Sequence, residues 1–108
     1  MPAKEFYDES SIYLQSSFDI LFENLLSNSL NNVKNSSKLL DSKEKIFELR
    51  VKDSEHWARI TYTRLDGNSI LLLGFVKDQN KTPRDEIEKS IKYKKDYIKN
   101  KLGEVVIL

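Results

Sequence analysis

The stretch that decides the fold reads FELRVKDSEHWARITYTRLDGNSILLLGFVKDQNKTP and spans residues 47–83. It contains three runs of β-branched, aromatic and aliphatic residues, at 47–52, 57–62 and 70–77. Short polar breaks separate the runs, which is the pattern of an antiparallel β-meander. Asp66-Gly67, between the second and third runs, favours a two-residue hairpin turn, because both central positions of that turn need positive φ. Residues 53–56 close the first hairpin with a longer loop.

These turns also predict the register of the sheet. A two-residue turn at Asp66-Gly67 pairs Leu65 with Asn68, and a four-residue loop after Lys52 pairs that residue with Trp57. Stepping back along the strands then places apolar side chains on one face: Phe47, Leu49, Val51, Ala58, Ile60, Tyr62, Leu71, Leu73 and Phe75. A slip of one residue would move them to the other face, so the agreement supports this register.

The opposite face of the predicted sheet is charged. In this register Arg50 lies opposite Arg59, and Arg59 lies opposite Gly74. Like charges directly opposite each other are unfavourable in a sheet, and so is a mid-strand glycine unless something approaches its backbone closely. Two interpretations are open. Either the two arginines and the glycine form an anion site with space for the anion, or the arginines are solvated on an open face.

A helix is predicted before the meander. Ser10 or Ser11 can cap a helix that runs to about Leu30. Its apolar face is formed by five residues at helical spacing, which are Phe18, Leu21, Phe22, Leu25 and Leu26. Residues 5–7 are predicted as a short strand, and residues 31–37 as a polar break. Residues 38–40 are predicted as either a last helical turn or an extended lead-in to the sheet.

A second helix is predicted after the meander. Thr82 is placed as its N-cap, with Pro83 at the first helical position and Asp85 at the third. This helix runs to about Leu102. Residues 104–108 are too apolar for a free tail and are expected to pack, with a further strand as one arrangement.

Composition bounds the class of protein. The 108 residues are 39% apolar and 32% charged, as in ordinary globular domains. There is no cysteine and a single histidine, which excludes disulfides and the usual thiolate or paired-histidine zinc sites. No apolar run is long enough to span a membrane, and no secretory core follows the first residues. The sequence therefore predicts one α+β domain over residues 1–108, without cofactor or membrane partner, and the absence of cysteine permits the expected cytoplasmic location. It has an N-terminal helix or helical hairpin, an antiparallel sheet of three or more strands and a C-terminal helix.

The net charge of +1 hides an asymmetry between two parts of the chain. Residues 1–33 carry one base and five acids, whereas residues 34–108 carry seventeen bases and twelve acids. A basic C-terminal part fits a polyanionic partner through its electric field, but solvated lysine-rich helices give the same count.

Several segments resemble, in order and spacing, the HigB-like, phage-related branch of the RelE/ParE toxin superfamily. These segments are residues 47–51, 58–62, 71–77, 79–83 and 86–89. The most specific part is Phe-Val-Lys at 75–77, followed by Lys-Thr-Pro and a helix. The resemblance implies a RelE-like fold and the toxin of a type II toxin–antitoxin system. Such a toxin is a ribosome-dependent, metal-independent endoribonuclease (an mRNA interferase) that cuts translated mRNA, and a helix-turn-helix antitoxin neutralises it. Two rivals remain: a ParE-like, non-hydrolytic inhibitor of DNA gyrase, and a nonenzymatic phage protein of the same fold.

The resemblance also implies roles for four catalytic residues. Arg50 and Arg59 match basic positions on two strands of these toxins, Lys77 matches the base that ends the Phe-Val-Lys strand, and Lys81 matches the base before Thr-Pro. RNA cleavage without a metal needs the negative charge of the transition state stabilised and the leaving oxygen protonated. Planar guanidinium groups suit the first task, and a lysine among other cations suits the second.

Four further residues are expected to contact RNA. Lys52 is a weaker match to the family, and Gly74 leaves space for the phosphate. His56, in the loop opposite Lys77, either assists proton transfer or is incidental. Trp57 either stacks on a base or covers the edge of the sheet.

Overall fold

The computed structural model describes residues 1–27, 33–77, 82–100 and 105–108. Its elements, in chain order, are α1 (Ala3–Glu9), α2 (Ile12–Leu26), β1 (Ser37–Asp41), β2 (Ile46–Lys52), β3 (Trp57–Leu65), β4 (Asn68–Val76), α3 (Arg84–Asn100) and β5 (Val106–Ile107). The strands form a five-stranded antiparallel sheet in the order β1-β2-β3-β4-β5. The predicted α+β class is confirmed, and the arrangement is consistent with the RelE-like fold.

The predicted hairpins are confirmed where the turns determine them. Strand β2 pairs with β3 from Phe47 opposite Tyr62 to Lys52 opposite Trp57. At the next turn, Asp66-Gly67 has positive φ at both residues, 53° and 81°. Both residues of this turn therefore have the positive φ that makes Asp-Gly a hairpin signal.

A β-bulge changes the register farther along β3 and β4. Tyr62 pairs with Leu71, as predicted, but Ile60 pairs with Gly74 and not with Leu73. Strand β4 thus has one residue more than β3 in this interval, which is the definition of a bulge. The extra residue reverses the alternation of β4 relative to the predicted sheet.

Beyond the bulge, the predicted neighbours of the charged row are wrong. Arg59 pairs with Phe75 instead of Gly74, and Ala58 pairs with Val76. Arg50 does lie opposite Arg59, as predicted. The two arginines therefore meet without a glycine beside them.

Helices cover both faces of the sheet. On one face, α1 and α2 pack with Phe6 and Phe18 against the apolar side chains of β2, β3 and β4. On the other face, α3 packs with Ile91 and Tyr97 against the smaller cluster around Leu72. None of the helices in the described ranges is long and apolar enough to cross a membrane.

The N-terminal segment differs from its prediction. Residues 5–7, predicted as a strand, lie in α1. An extended contact forms just before them instead, because Pro2 bridges to Leu73 and the Met1 carbonyl accepts a hydrogen bond from the Gly74 N–H at 2.8 Å. Helix α1 is thereby fixed to the middle of β4.

The structure decides two points that the sequence leaves open. The cap of α2 is Ser11, whose side chain accepts a hydrogen bond from the Leu14 N–H at 3.2 Å. Residues 38–40 are extended and belong to β1. Leu26, predicted on the buried face of α2, is exposed at the helix end. The predicted helix ends near Leu30 and Leu102 lie outside the described residues.

The C-terminal residues pack as a strand. Val106 pairs with Leu71, and Ile107 pairs with Ile70, at the edge of β4. The apolar character of residues 104–108 therefore has a structural cause. A central position for β4 also explains why its residues 70–73 are almost completely buried.

Candidate nucleic-acid interface

Arg59 lies in a buried ion network and not on an open face. The side chains of Arg59 and Glu48 are both 0% exposed. Arg59 Nη1 donates a hydrogen bond to Thr82 Oγ1 at 3.1 Å, and Thr82 Oγ1 donates to Glu48 Oε2 at 2.5 Å. Arg50 Nε lies 3.6 Å from Glu48 Oε1. One carboxylate therefore lies between two guanidinium groups and offsets their mutual repulsion.

This network contradicts both sequence interpretations of Arg59. Burial lowers the pKa of the Arg59 guanidinium; Glu48 acts in the opposite direction, and Arg50 adds to the lowering. A guanidinium that is fully buried and bonded to the Thr82 hydroxyl is not presented to an RNA phosphate. The side chain is linked instead to Glu48 of β2 through Thr82, a position that favours a structural role over the predicted catalytic one.

Glu48 is the network residue that sequence reasoning missed. The sequence does contain a signal for it, because Glu48 is the acidic residue on the same face of β2 as Arg50. Alternation alone placed it on the charged face, which was interpreted either as an anion site or as an open, solvated surface. The burial of Glu48 results from the packing of α3 over that face, which the sequence pattern does not show.

Thr82 takes part in the same network. It was predicted to cap α3, but its hydroxyl bonds to Glu48 and Arg59 instead. Helix α3 begins at Arg84, and the Pro83 carbonyl accepts a hydrogen bond from a backbone N–H of its first turn at 3.1 Å. The network thus links the start of α3 to two strands of the sheet.

Gly74 faces α1 and not the arginines. A Cβ atom placed on it would lie 2.3 Å from Phe6 Cδ2 and 2.4 Å from Phe6 Cγ. The space above this glycine is therefore filled by an aromatic ring, and the prediction that it holds RNA is wrong. The general rule was right, because a mid-strand glycine does mark a close approach.

The other basic residues meet at one end of the sheet. Arg50 Cζ lies 5.6 Å from the centroid of the Trp57 ring, and Lys52 Nζ lies 5.2 Å from it. The exposed residue Lys77 adjoins them, because its N–H donates to the Trp57 carbonyl at 3.1 Å. We call these four residues, Arg50, Lys52, Trp57 and Lys77, the basic corner. Cations stacked on an aromatic ring beside a further lysine form a surface suited to a phosphate chain.

The loop beside the basic corner is held by Asp53. Its Oδ1 accepts hydrogen bonds from the N–H groups of Glu55 and His56 at 2.7 and 2.6 Å. His56 is exposed at the end of this loop, with Nδ1 3.8 Å from Asp53 Oδ1. A role for His56 in proton transfer stays a prediction, and Lys81 lies outside the described residues. In the described ranges, no group of three or more metal-ligating side chains occurs.

The loop is expected to loosen in acid. Hydrogen bonds from Glu55 and His56 lower the pKa of the Asp53 carboxyl from its ordinary value of 3.8. The carboxylate therefore stabilises the loop above about pH 3.8, and this contribution is lost as the pH falls through the lowered pKa. The amide NMR shifts of Glu55 and His56 should titrate with a midpoint below 3.8. Asp53→Ala should abolish the transition, and a midpoint at or above the ordinary value would contradict the assignment.

A comparison with protein families identifies the family of the chain. A family model described as Phage derived protein Gp49-like (DUF891) matches residues 15–95. The chain belongs to this family. The Gp49-like family is related to the RelE-like toxins of toxin–antitoxin systems, in agreement with the resemblance seen in the sequence. The match begins within α2 and ends within α3, so it includes the buried network and the basic corner. Comparisons with curated proteins and with solved structures gave no match.

Proposed function

We propose that the protein is the toxin of a type II toxin–antitoxin pair and a ribosome-dependent endoribonuclease that cuts translated mRNA. The observation that carries this proposal is the basic corner, where Arg50 and Lys52 lie over the ring of Trp57 at an accessible end of the sheet. Membership of a family related to RelE-like toxins supports it. The more specific HigB-like assignment belongs to the same proposal.

The proposed reaction needs no metal ion. The 2′-oxygen of one nucleotide attacks the adjacent phosphorus, the bond from phosphorus to the 5′-oxygen breaks, and a 2′,3′-cyclic phosphate and a 5′-hydroxyl result. Arg50, whose Nε lies 3.6 Å from Glu48 Oε1, stabilises the charge on the phosphate oxygens with its guanidinium group. Lys77 protonates the leaving 5′-oxygen, and His56 is the candidate acceptor of the 2′-hydroxyl proton.

Three partners belong to this proposal. They are mRNA, the ribosome that presents it, and a cognate antitoxin with a helix-turn-helix domain, all within the cytoplasm. The chemistry of the basic corner supports the RNA, and the ribosome comes from the family relation. The antitoxin follows from the family relation alone, so co-expression with the neighbouring gene and co-purification of a complex would test it.

The proposed activity is tested by inducing the protein alone in bacteria. Primer extension should show cuts inside translated reading frames that disappear from the same transcript when its start codon is removed. Arg50→Ala should abolish the cuts, because it removes the guanidinium that stabilises the phosphate. Lys99→Ala should retain them, because this exposed lysine lies in the last turn of α3.

Three other results would contradict the proposal in different ways. Cuts that persist without translation would remove the dependence on the ribosome. Intact mRNA with inhibited gyrase would favour the ParE-like rival. Normal growth with intact mRNA and active gyrase would leave a nonenzymatic phage protein.

A further inference from the structure

Next to the basic corner, a cleft of about 400 Å³ separates α2 from the β2–β3 hairpin. Leu21 and Val51, both nearly buried, contribute an apolar floor. Trp57 and Ile20 also line it, and Ile20 is 62% exposed. An isoleucine so exposed beside a half-buried tryptophan gives the cleft an apolar side that nothing in the described fold covers.

Polar groups surround this apolar part of the cleft. Ser17 and Asn35 line it together with two cations, Arg50 and Lys52. No carboxylate is among the described lining residues. A planar heterocycle with polar edges and an attached phosphate fits such a lining, because rings pack on apolar surface while amide and hydroxyl groups bond to base edges.

A second cleft, of about 620 Å³, adjoins the first and shares Lys52 with it. It is lined by Tyr13, which is 63% exposed, and by the hydroxyl residues Ser11 and Ser54. The carboxylate of Asp53 also lines it, but its Oδ1 already accepts two backbone N–H groups of the loop. Each cleft therefore has one aromatic ring, and a lysine lies where they meet.

We propose that this double cleft binds two consecutive nucleobases of single-stranded RNA, with the phosphate between them held by Lys52. One base packs beside Trp57 and Ile20, and the next packs on Tyr13. Aromatic platforms linked by cations are how proteins bind unpaired strands. The inference rests on the proposed function, and it adds substrate subsites on α2 to the basic corner.

An acidic protein segment is the other anionic occupant to consider. Such a segment would be expected to add a strand to the free edge of β2. That edge is already occupied by β1 as far as Leu49, and the Arg50 N–H donates to the Ser36 carbonyl at 2.8 Å. Too little edge is left for a peptide strand, whereas bases need only the two clefts.

Trp57 offers a direct readout, because it is the one tryptophan of the chain. A 2′-O-methyl oligoribonucleotide, which has no free 2′-hydroxyl to react, should quench its fluorescence on titration. An abasic oligomer of the same length keeps the phosphates and should bind at least roughly tenfold more weakly, as expected for the loss of base stacking. Unchanged fluorescence, or equal affinity for the abasic oligomer, would overturn the proposal. Equal competition by poly-glutamate would assign the cleft to acidic protein segments instead.

Ile20→Glu is the matched variant, and Ile98→Glu is its control. Ile20 is exposed, so the fold should survive, and the added carboxylate should weaken oligonucleotide binding about tenfold by repulsion and loss of packing. Ile98, an exposed residue of α3 that lines neither cleft, receives the same change of charge and should leave binding unchanged. Equal losses in both variants would point to net charge alone.

Binding and cleavage can fail separately. Specific quenching with no cutting of mRNA in cells would keep the clefts and overturn the endoribonuclease. Cutting that persists in Ile20→Glu, together with unchanged quenching, would overturn the clefts and leave the proposed function in place.

Discussion

Arg59→Ala should lower the free energy of unfolding by up to about 3–5 kcal/mol, the range for removing one charge from a buried ion network. Its guanidinium is fully buried and donates to Thr82, which in turn donates to Glu48. The variant leaves the Glu48 carboxylate buried with less compensation and opens a cavity beside it. The predicted register alone would suggest the opposite result, a relief of repulsion between two solvated arginines.

Urea unfolding followed by Trp57 fluorescence measures this loss. Arg84→Ala is the control, because its ion pairs with Glu88 and Asp41 are at the surface and it should cost about 1 kcal/mol or less. Replacing the pair with Glu48→Leu and Arg59→Met together should restore most of the stability, since apolar packing can substitute for a buried ion pair. An Arg59→Ala protein as stable as the unmodified chain would show that the network contributes nothing.

Gly74→Val is expected to destabilise the protein by about 1–3 kcal/mol or more, the range for overpacking a core. A Cβ at this position would overlap the Phe6 ring, with distances of 2.3 to 2.6 Å to three of its atoms. Valine adds two methyl groups to that overlap, so α1 must move off β4. Although valine favours strands by propensity, the clash outweighs that preference.

Changing Phe6 tests whether its ring causes the loss of stability expected in Gly74→Val. In a Phe6→Ala background the ring is absent, so the further cost of Gly74→Val should fall to well under half. Melting temperatures of the four proteins in this cycle measure the coupling. Equal costs of Gly74→Val with and without the ring would contradict the packing explanation.

The sequence predicted the sheet well where local chemistry determines it. The Asp66-Gly67 turn and the four-residue loop after Lys52 set the pairing on either side of them. The β-bulge was not predictable, because residues 70–73 are all apolar and buried. They show no alternation of apolar and polar residues from which a shift of register could be detected. Burial by α1 and α3 on opposite sides removes the polar half of the pattern.

For the candidate site, too, the sequence predicts what local pattern determines and misses what distant packing determines. Arg50, Lys52 and Trp57 were predicted on one face, and the structure brings them together at its accessible end. Arg59 has the same sequence signal but lies where α3 covers the face, and no local pattern reports where a distant helix packs. The clefts beside α2 were missed for a related reason: Ile20 lies off the predicted apolar face of α2, and no local pattern shows that it lines a cleft with Trp57.

The docking of α1 on β4 has a consequence for the order in which the chain is made. A ribosome delivers α1 before β4, so the Gly74 backbone that binds Met1 and the surface that receives Phe6 are delivered only after three other strands. Until then, Phe6 can pack only against Phe18 of α2, and the nascent chain exposes the side of α1 that contacts β4. Helix α1 therefore reaches its final place only after β4 has been made, and growing chains interrupted before β4 should depend on chaperones that cover Phe6.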